Sequence, residues 1–153
     1  MTPMAAYESG LIIFSTGFMK PQFVAVDPTG SGDVTDSHLK WRFRNAPSMA
    51  SVIANGGRIY SILDKGVLVC IDAVTGDEIE RKRIGGNFSA SPLLAAGNLY
   101  LGSREGLMTI VHCSSGLETI ATHQFDSSLM ASPAVFGDDL IIRTEKKLYR
   151  ISK

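Results

Sequence analysis

Ala90-Ser91-Pro92-Leu93-Leu94-Ala95-Ala96-Gly97-Asn98-Leu99-Tyr100-Leu101-Gly102 opens the stretch that decides the fold, because its landmarks return along the chain. Ala50-Ser51, Tyr60, Gly66 and Gly76 precede Ala90-Ser91, Tyr100, Gly106 and Gly116 by forty positions each. A third copy follows at a spacing of forty-one, with Ala131-Ser132-Pro133 answering Ala90-Ser91-Pro92, Leu140 answering Leu99 and Leu148 answering Leu107. A looser copy leads: Leu11-Ile12-Ile13-Phe14 and Phe23-Val24-Ala25-Val26-Asp27 correspond to Ile59-Tyr60-Ser61-Ile62 and Leu68-Val69-Cys70-Ile71-Asp72, with extra residues in its turns. Self-similarity at a fixed period of this length marks an array of supersecondary units.

Within one unit the pattern reads as four short strands, in the third near Ser91–Leu94, Leu99–Gly102, Met108–Cys113 and Thr119–Phe125. Aliphatic and β-branched residues fill them, and glycine fills the turns between. Asn55-Gly56-Gly57, Ala96-Gly97-Asn98 and Gly137-Asp138-Asp139 supply residues that tolerate positive φ, as a tight hairpin requires. Four antiparallel strands every forty or so residues predict an all-β propeller of about four blades, approximately 2–46, 47–87, 88–128 and 129–153. The last unit ends before a fourth strand, so the expectation is a partial ring in one domain. No stretch carries a sustained helical period.

The chain has 153 residues with fifteen basic and fifteen acidic side chains and no run of like charge. Neither nucleic acid nor an anionic membrane is expected as a partner, and the apolar runs are too short for a helical span. Met1–Gly10 lacks a basic stretch followed by an apolar one, so no export signal is read there. Cys70 and Cys113 have no CxxC or zinc-ligand spacing and are expected to be buried free thiols.

The units resemble the pyrroloquinoline-quinone-like repeat of quinone-dependent dehydrogenases and of the lipoprotein of the outer-membrane barrel assembly machinery. Ala90-Ser91-Pro92, Gly97-Asn98-Leu99-Tyr100 and Ile71-Asp72-Ala73-Val74-Thr75-Gly76-Asp77-Glu78 carry the likeness. It extends to the C-terminal half of eight-bladed bacterial propellers, which are mostly exported. The resemblance implies a tryptophan after each threonine-glycine turn, docked between blades. Trp41 fills that role once, and Glu80 and Ile120 are read at the corresponding places in the next two units. It also implies eight blades, so a homodimer of two half-rings is expected, with Thr2–Ala6 of a partner or of the same chain available as the absent outer strand. A closed four-bladed ring is the structural alternative.

The charged turns Asp64-Lys65, Arg104-Glu105 and Glu145-Lys146-Lys147 fall at equivalent positions and would form a ring on one face. Solvation is the default reading and partner contact the functional one. Phe18, Met19 and Lys20 occupy the longer turn of the first unit and are the first candidates for a contact. Asp27, Asp33 and Asp36 lack the acidic ladder of a calcium loop and read as a surface turn. His38, His112 and His123 lack metal-ligand spacing. Ser114-Ser115-Gly116 and Ser31-Gly32 lack the framing of a nucleophile elbow. The leading functional expectation is a non-enzymatic scaffold or protein-interaction module without a cofactor. The rival is a relative of a quinone- and calcium-dependent dehydrogenase, although no catalytic aspartate and no adjacent cysteine pair can be matched.

Overall fold

The computed structural model describes residues 3–16 and 19–152, which form fifteen strands and no helix. Blade one contains β1 (Ala6–Glu8), β2 (Leu11–Ser15), β3 (Gln22–Val26) and β4 (Leu39–Arg44). Blade two contains β5 (Ile53–Asn55), β6 (Arg58–Ile62), β7 (Val67–Asp72) and β8 (Glu78–Arg83). Blade three contains β9 (Leu93–Ala95), β10 (Asn98–Gly102), β11 (Leu107–His112) and β12 (Glu118–Gln124). Blade four has β13 (Ala134–Phe136), β14 (Asp139–Arg143) and β15 (Leu148–Ile151). Each sheet pairs its strands antiparallel in chain order, giving four, four, four and three strands. The chain is therefore an all-β run of propeller blades whose last member has three strands. Gly56-Gly57 and Ala96-Gly97 turn between first and second strands with φ positive at both residues. That geometry matches the twist of the strands they join.

Alternation along the middle strands builds the cores between blades. In β7, Val69 and Ile71 pack toward blade one, where they join Ile13, Phe23, Ala25 and Trp41. Leu68 and Cys70, on the opposite face of the same strand, pack toward blade three with Leu99, Leu101 and Val111. A strand buried on both faces reads as a continuous apolar run, which is why Val67-Leu68-Val69-Cys70-Ile71 shows no polar alternation. A third cluster of Met108, Phe125, Leu129 and Ile142 joins blades three and four. Among the described residues no core cluster joins blade four to blade one, so the closed four-bladed alternative is not the arrangement seen.

The recurring Ala-Ser pair has a physical role. Met4 N–H donates to Ser51 Oγ at 2.9 Å, Ser51 N–H to Ser91 Oγ at 2.8 Å, and Ser91 N–H to Ser132 Oγ at 2.9 Å. Each serine thus satisfies a backbone donor of the preceding blade and sets the spacing between neighbours. Met4 occupies the place of Ser51 in this ladder, so residues 3–5 form the lead into an inner strand. Ala6 is itself the first residue of β1. The described residues of Thr2–Ala6 do not join blade four of the same chain as its outer strand, and Thr2 lies outside the described residues.

Trp41 docks as the resemblance implied: its Nε1–H donates to Ala73 O at 3.0 Å and its ring lies over Gly76 of blade two. At the next junction Glu80 takes the same place with different chemistry. Its two carboxylate oxygens accept the Leu117 N–H at 3.0 Å, beside Gly116.

Three equivalences shift by one residue. Ala6 pairs Ile13 where Ile53 pairs Tyr60, so Ile13, not Ile12, stands in the place of Tyr60. Gly102 pairs Met108 but Arg143 pairs Leu148, because the fourth blade's turn is one residue shorter. Leu148 therefore answers Met108, not Leu107. Cys70 pairs Glu80 while Ile110 pairs Ala121, because the turn after β11 gains a residue, so Ala121 replaces Ile120 as the docking position. A slip of one exchanges the two faces of a strand, so each correction moves a side chain to a different junction.

Candidate functional site

The charged turns lie where second strands pass into third strands, and each clasps the connector arriving from the preceding blade. Asp64 accepts the Ser48 N–H at 2.9 Å and the Ser48 hydroxyl at 2.6 Å. Glu105 accepts the Asn87 N–H at 3.1 Å and its side-chain amide at 2.7 Å, while Lys65 donates to Asn87 Oδ1 at 3.1 Å. The Asn87 side-chain amide, then its backbone N–H, holds the Glu105 carboxyl at about 2, well below its ordinary 4.5. Hydrogen bonds to the charged form have this effect. Arg104 donates to Ser89 Oγ, and its backbone N–H reaches Asn87 O. In blade four the Glu145 N–H donates to Ser128 O and the Lys146 N–H to Thr144 Oγ1. These residues were read as a solvated ring; the turns are stapled to their connectors, and Asp64 and Glu105 are committed within the fold.

Met19 is exposed with φ 75°, and Phe18 lies outside the described residues. Lys20 comes together with Asp64 and Lys65 around a cleft of about 690 Å³ between blades one and two. The cleft exists because the two connectors differ. Residues 84–92 link β8 to β9, and the N–H groups of Ile84 and Gly85 both donate to Gly66 O. A Cβ on Gly66 would lie 2.2 Å from Gly85 O, so that connector leaves pressed against the turn of its own blade. Residues 45–52 form a connector one residue shorter, anchored by Asn45 at φ 70° and by the Ala46 N–H to Pro21 O. Arg44 joins Lys20 and Lys65 on the cleft wall, and Pro21, Ala46, Leu63 and Val67 supply apolar lining. Repeat matching missed this cleft, since it arises from a departure from the repeat. The one available signal was Asn45-Ala46 standing where the next connector has Ile84-Gly85.

The remaining candidates have structural roles. Asp27 accepts from the Thr29 hydroxyl and N–H and pairs with Lys40 at 3.2 Å. The Thr29 hydroxyl is the leading reason its carboxyl sits at about 2. Asp33 binds Thr35 in the same manner. His38 meets Ser37, His112 meets Asn98 Oδ1, and His123 packs edge-on to Phe125. Among the described residues no three His, Cys, Asp or Glu side chains group as metal ligands. Cys70 and Cys113 are buried free thiols, and burial pushes both above the ordinary thiol value.

No protein-family model and no curated protein matches the sequence. Solved structures do match by shape. BamB from Moraxella catarrhalis superimposes with a TM-score of 0.74 at 16% identity, over 99% of this chain and 46% of that one. The quinohemoprotein alcohol dehydrogenase ADHIIG from Pseudomonas putida HK5 gives 0.70 at 14%, over 92% and 28%. The computationally designed Ika4 protein gives 0.69 at 12%, over 97% and 89%. This chain thus spans less than half of the two natural proteins. At these identities the likeness shows the fold alone, and that fold is the propeller architecture of pyrroloquinoline-quinone-type proteins.

Proposed function

We propose that the chain is a non-enzymatic propeller scaffold that acts by binding protein, and that one such protein is a second copy of itself. The state of the two terminal blades carries this reading. Leu148 is 72% exposed, whereas Met108, Leu68 and Phe23, which hold its place in the other blades, are exposed by 3%, 0% and 0%. Ile12 is 36% exposed where Ile59 and Leu99 are at 0%. Tyr7, in the place of Ala54 and Leu94, is 67% exposed. These are apolar positions that the fold buries or half-buries at its internal junctions, and apolar surface of this kind marks an association site.

A second copy fits because the three internal junctions are its template. The face presented by blade four is the kind that blades two and three offer to their successors, and the face of blade one is the kind that receives it. Two chains head to tail would bury both faces twice and make eight blades, within the range of known propellers. Met4 stands where the ladder has serine, so apolar contact carries the new junction. Solution mass tests this directly.

A second reading, a relative of quinone-dependent dehydrogenases, is favoured by shape. A europium-containing methanol dehydrogenase matches with a TM-score of 0.60 at 14% identity over 77% of this chain, alongside the alcohol dehydrogenase. Titration with pyrroloquinoline quinone and calcium separates the two: the scaffold reading expects no stoichiometric uptake, and a saturable cofactor absorbance at one equivalent per ring overturns it.

A further inference from the structure

We infer that the cleft between blades one and two docks an acidic amphipathic segment of a partner protein, one apolar side chain flanked by carboxylates. The inference rests on the interaction-scaffold reading and gives its partner a chemistry. Lys20, Arg44 and Lys65 stand around the cleft, and none forms an ion pair among the described residues. Asp64, the one carboxylate among the lining residues, has both oxygens occupied by Ser48. The cleft is therefore locally cationic in a chain whose total charge is zero. Concentrating one sign in a concave site attracts the opposite sign.

The lining selects among anions. Pro21, Ala46, Leu63 and Val67 contribute apolar surface inside the ring of cations, which an inorganic phosphate or a sugar–phosphate backbone would leave unused. A leucine-like side chain fills it, while carboxylates on either side reach Lys20, Lys65 and the planar fork of Arg44. At about 690 Å³ the cleft has the size of a ligand pocket. Its walls are fixed by Ala46 on Pro21 and Ser48 on Asp64, so it is formed before a partner arrives.

Fluorescence polarisation of a labelled Glu-Glu-Leu-Glu-Glu peptide tests this, with Gln-Gln-Leu-Gln-Gln and Glu-Glu-Gly-Glu-Glu as comparisons. The expected result is binding about tenfold tighter than either comparison, weakening as salt shortens the Debye length. Lys20→Glu with Arg44→Glu should cost about tenfold or more by replacing attraction with repulsion. Lys146→Glu, a single charge reversal on another turn, should leave affinity unchanged. Should the double reversal lose its circular-dichroism spectrum, Lys20→Gln with Arg44→Gln replaces it and should lose a smaller part of the affinity. Equal binding of the Glu and Gln peptides, or wild-type affinity in the folded cleft variant, overturns the proposal. A chain that ignores the acidic peptide yet still self-associates loses this site and keeps the scaffold reading, which falls instead on cofactor uptake.

Discussion

Gly76→Ala probes the docking of one blade on the next. Gly76 has φ +77°, and a Cβ there would lie 2.6 Å from Trp41 Cδ2 and 2.7 Å from Cγ. Left-handed backbone costs a residue bearing Cβ roughly 1–2 kcal/mol. The flat ring cannot bend aside and is held by its bond to Ala73 O. Overpacking adds about 1–3 kcal/mol, and losing the hydrogen bond adds about 1 kcal/mol. The total is about 3–6 kcal/mol, a large part of the stability of an ordinary domain. Gly10→Ala is the control, since its φ is +81° and nothing lies within 4 Å of a Cβ placed there. It should lose only the backbone part, about 1–2 kcal/mol. Urea unfolding followed by far-UV circular dichroism compares the two. Trp41 is the only tryptophan, so its emission reports the same joint and should shift to the red in Gly76→Ala alone. Equal losses in the two variants, with unchanged emission, would refute the docking role.

Ser61 is fully buried and its hydroxyl has no hydrogen-bond partner among the described residues, so Ser61→Ala should leave stability unchanged or raise it by up to about 1 kcal/mol in the same urea experiment. Because folding lowers the Glu105 value from 4.5 to about 2, its contribution is present above pH 4.5 and lost as pH falls toward 2. Glu105→Gln should therefore flatten the fall in melting temperature across that window, with little change in its shape above pH 5. Leu148→Asp places a charge on the open face of blade four and should abolish self-association while keeping the circular-dichroism spectrum. A variant that self-associates as the parent does would remove Leu148 from the junction.

The fold was legible because a propeller repeats its strands, its hairpin turns and its Ala-Ser pairs at a period the eye can follow. The register was legible only where turns keep their length. The shortened turn before Leu148 and the lengthened turn before Thr119 each moved the assignment by one residue and so to the wrong face. Glu80 at the docking position looked like decay of the repeat, yet its carboxylate holds the Leu117 N–H between blades two and three, as Trp41 holds Ala73 O between blades one and two. The charged turns showed their position but not their partners, because clasping Ser48 and Asn87 depends on how connectors fold back. The cleft lies beyond any repeat-based reading, since it forms where one connector is a residue short.

Light scattering across a concentration series tests the half-ring reading most directly. Two chains closing one ring predict a stable species at twice 16.5 kDa that persists on dilution. A chain that stays at 16.5 kDa throughout the series would contradict it, leaving the apolar faces of Leu148, Ile12 and Tyr7 without the occupant proposed for them.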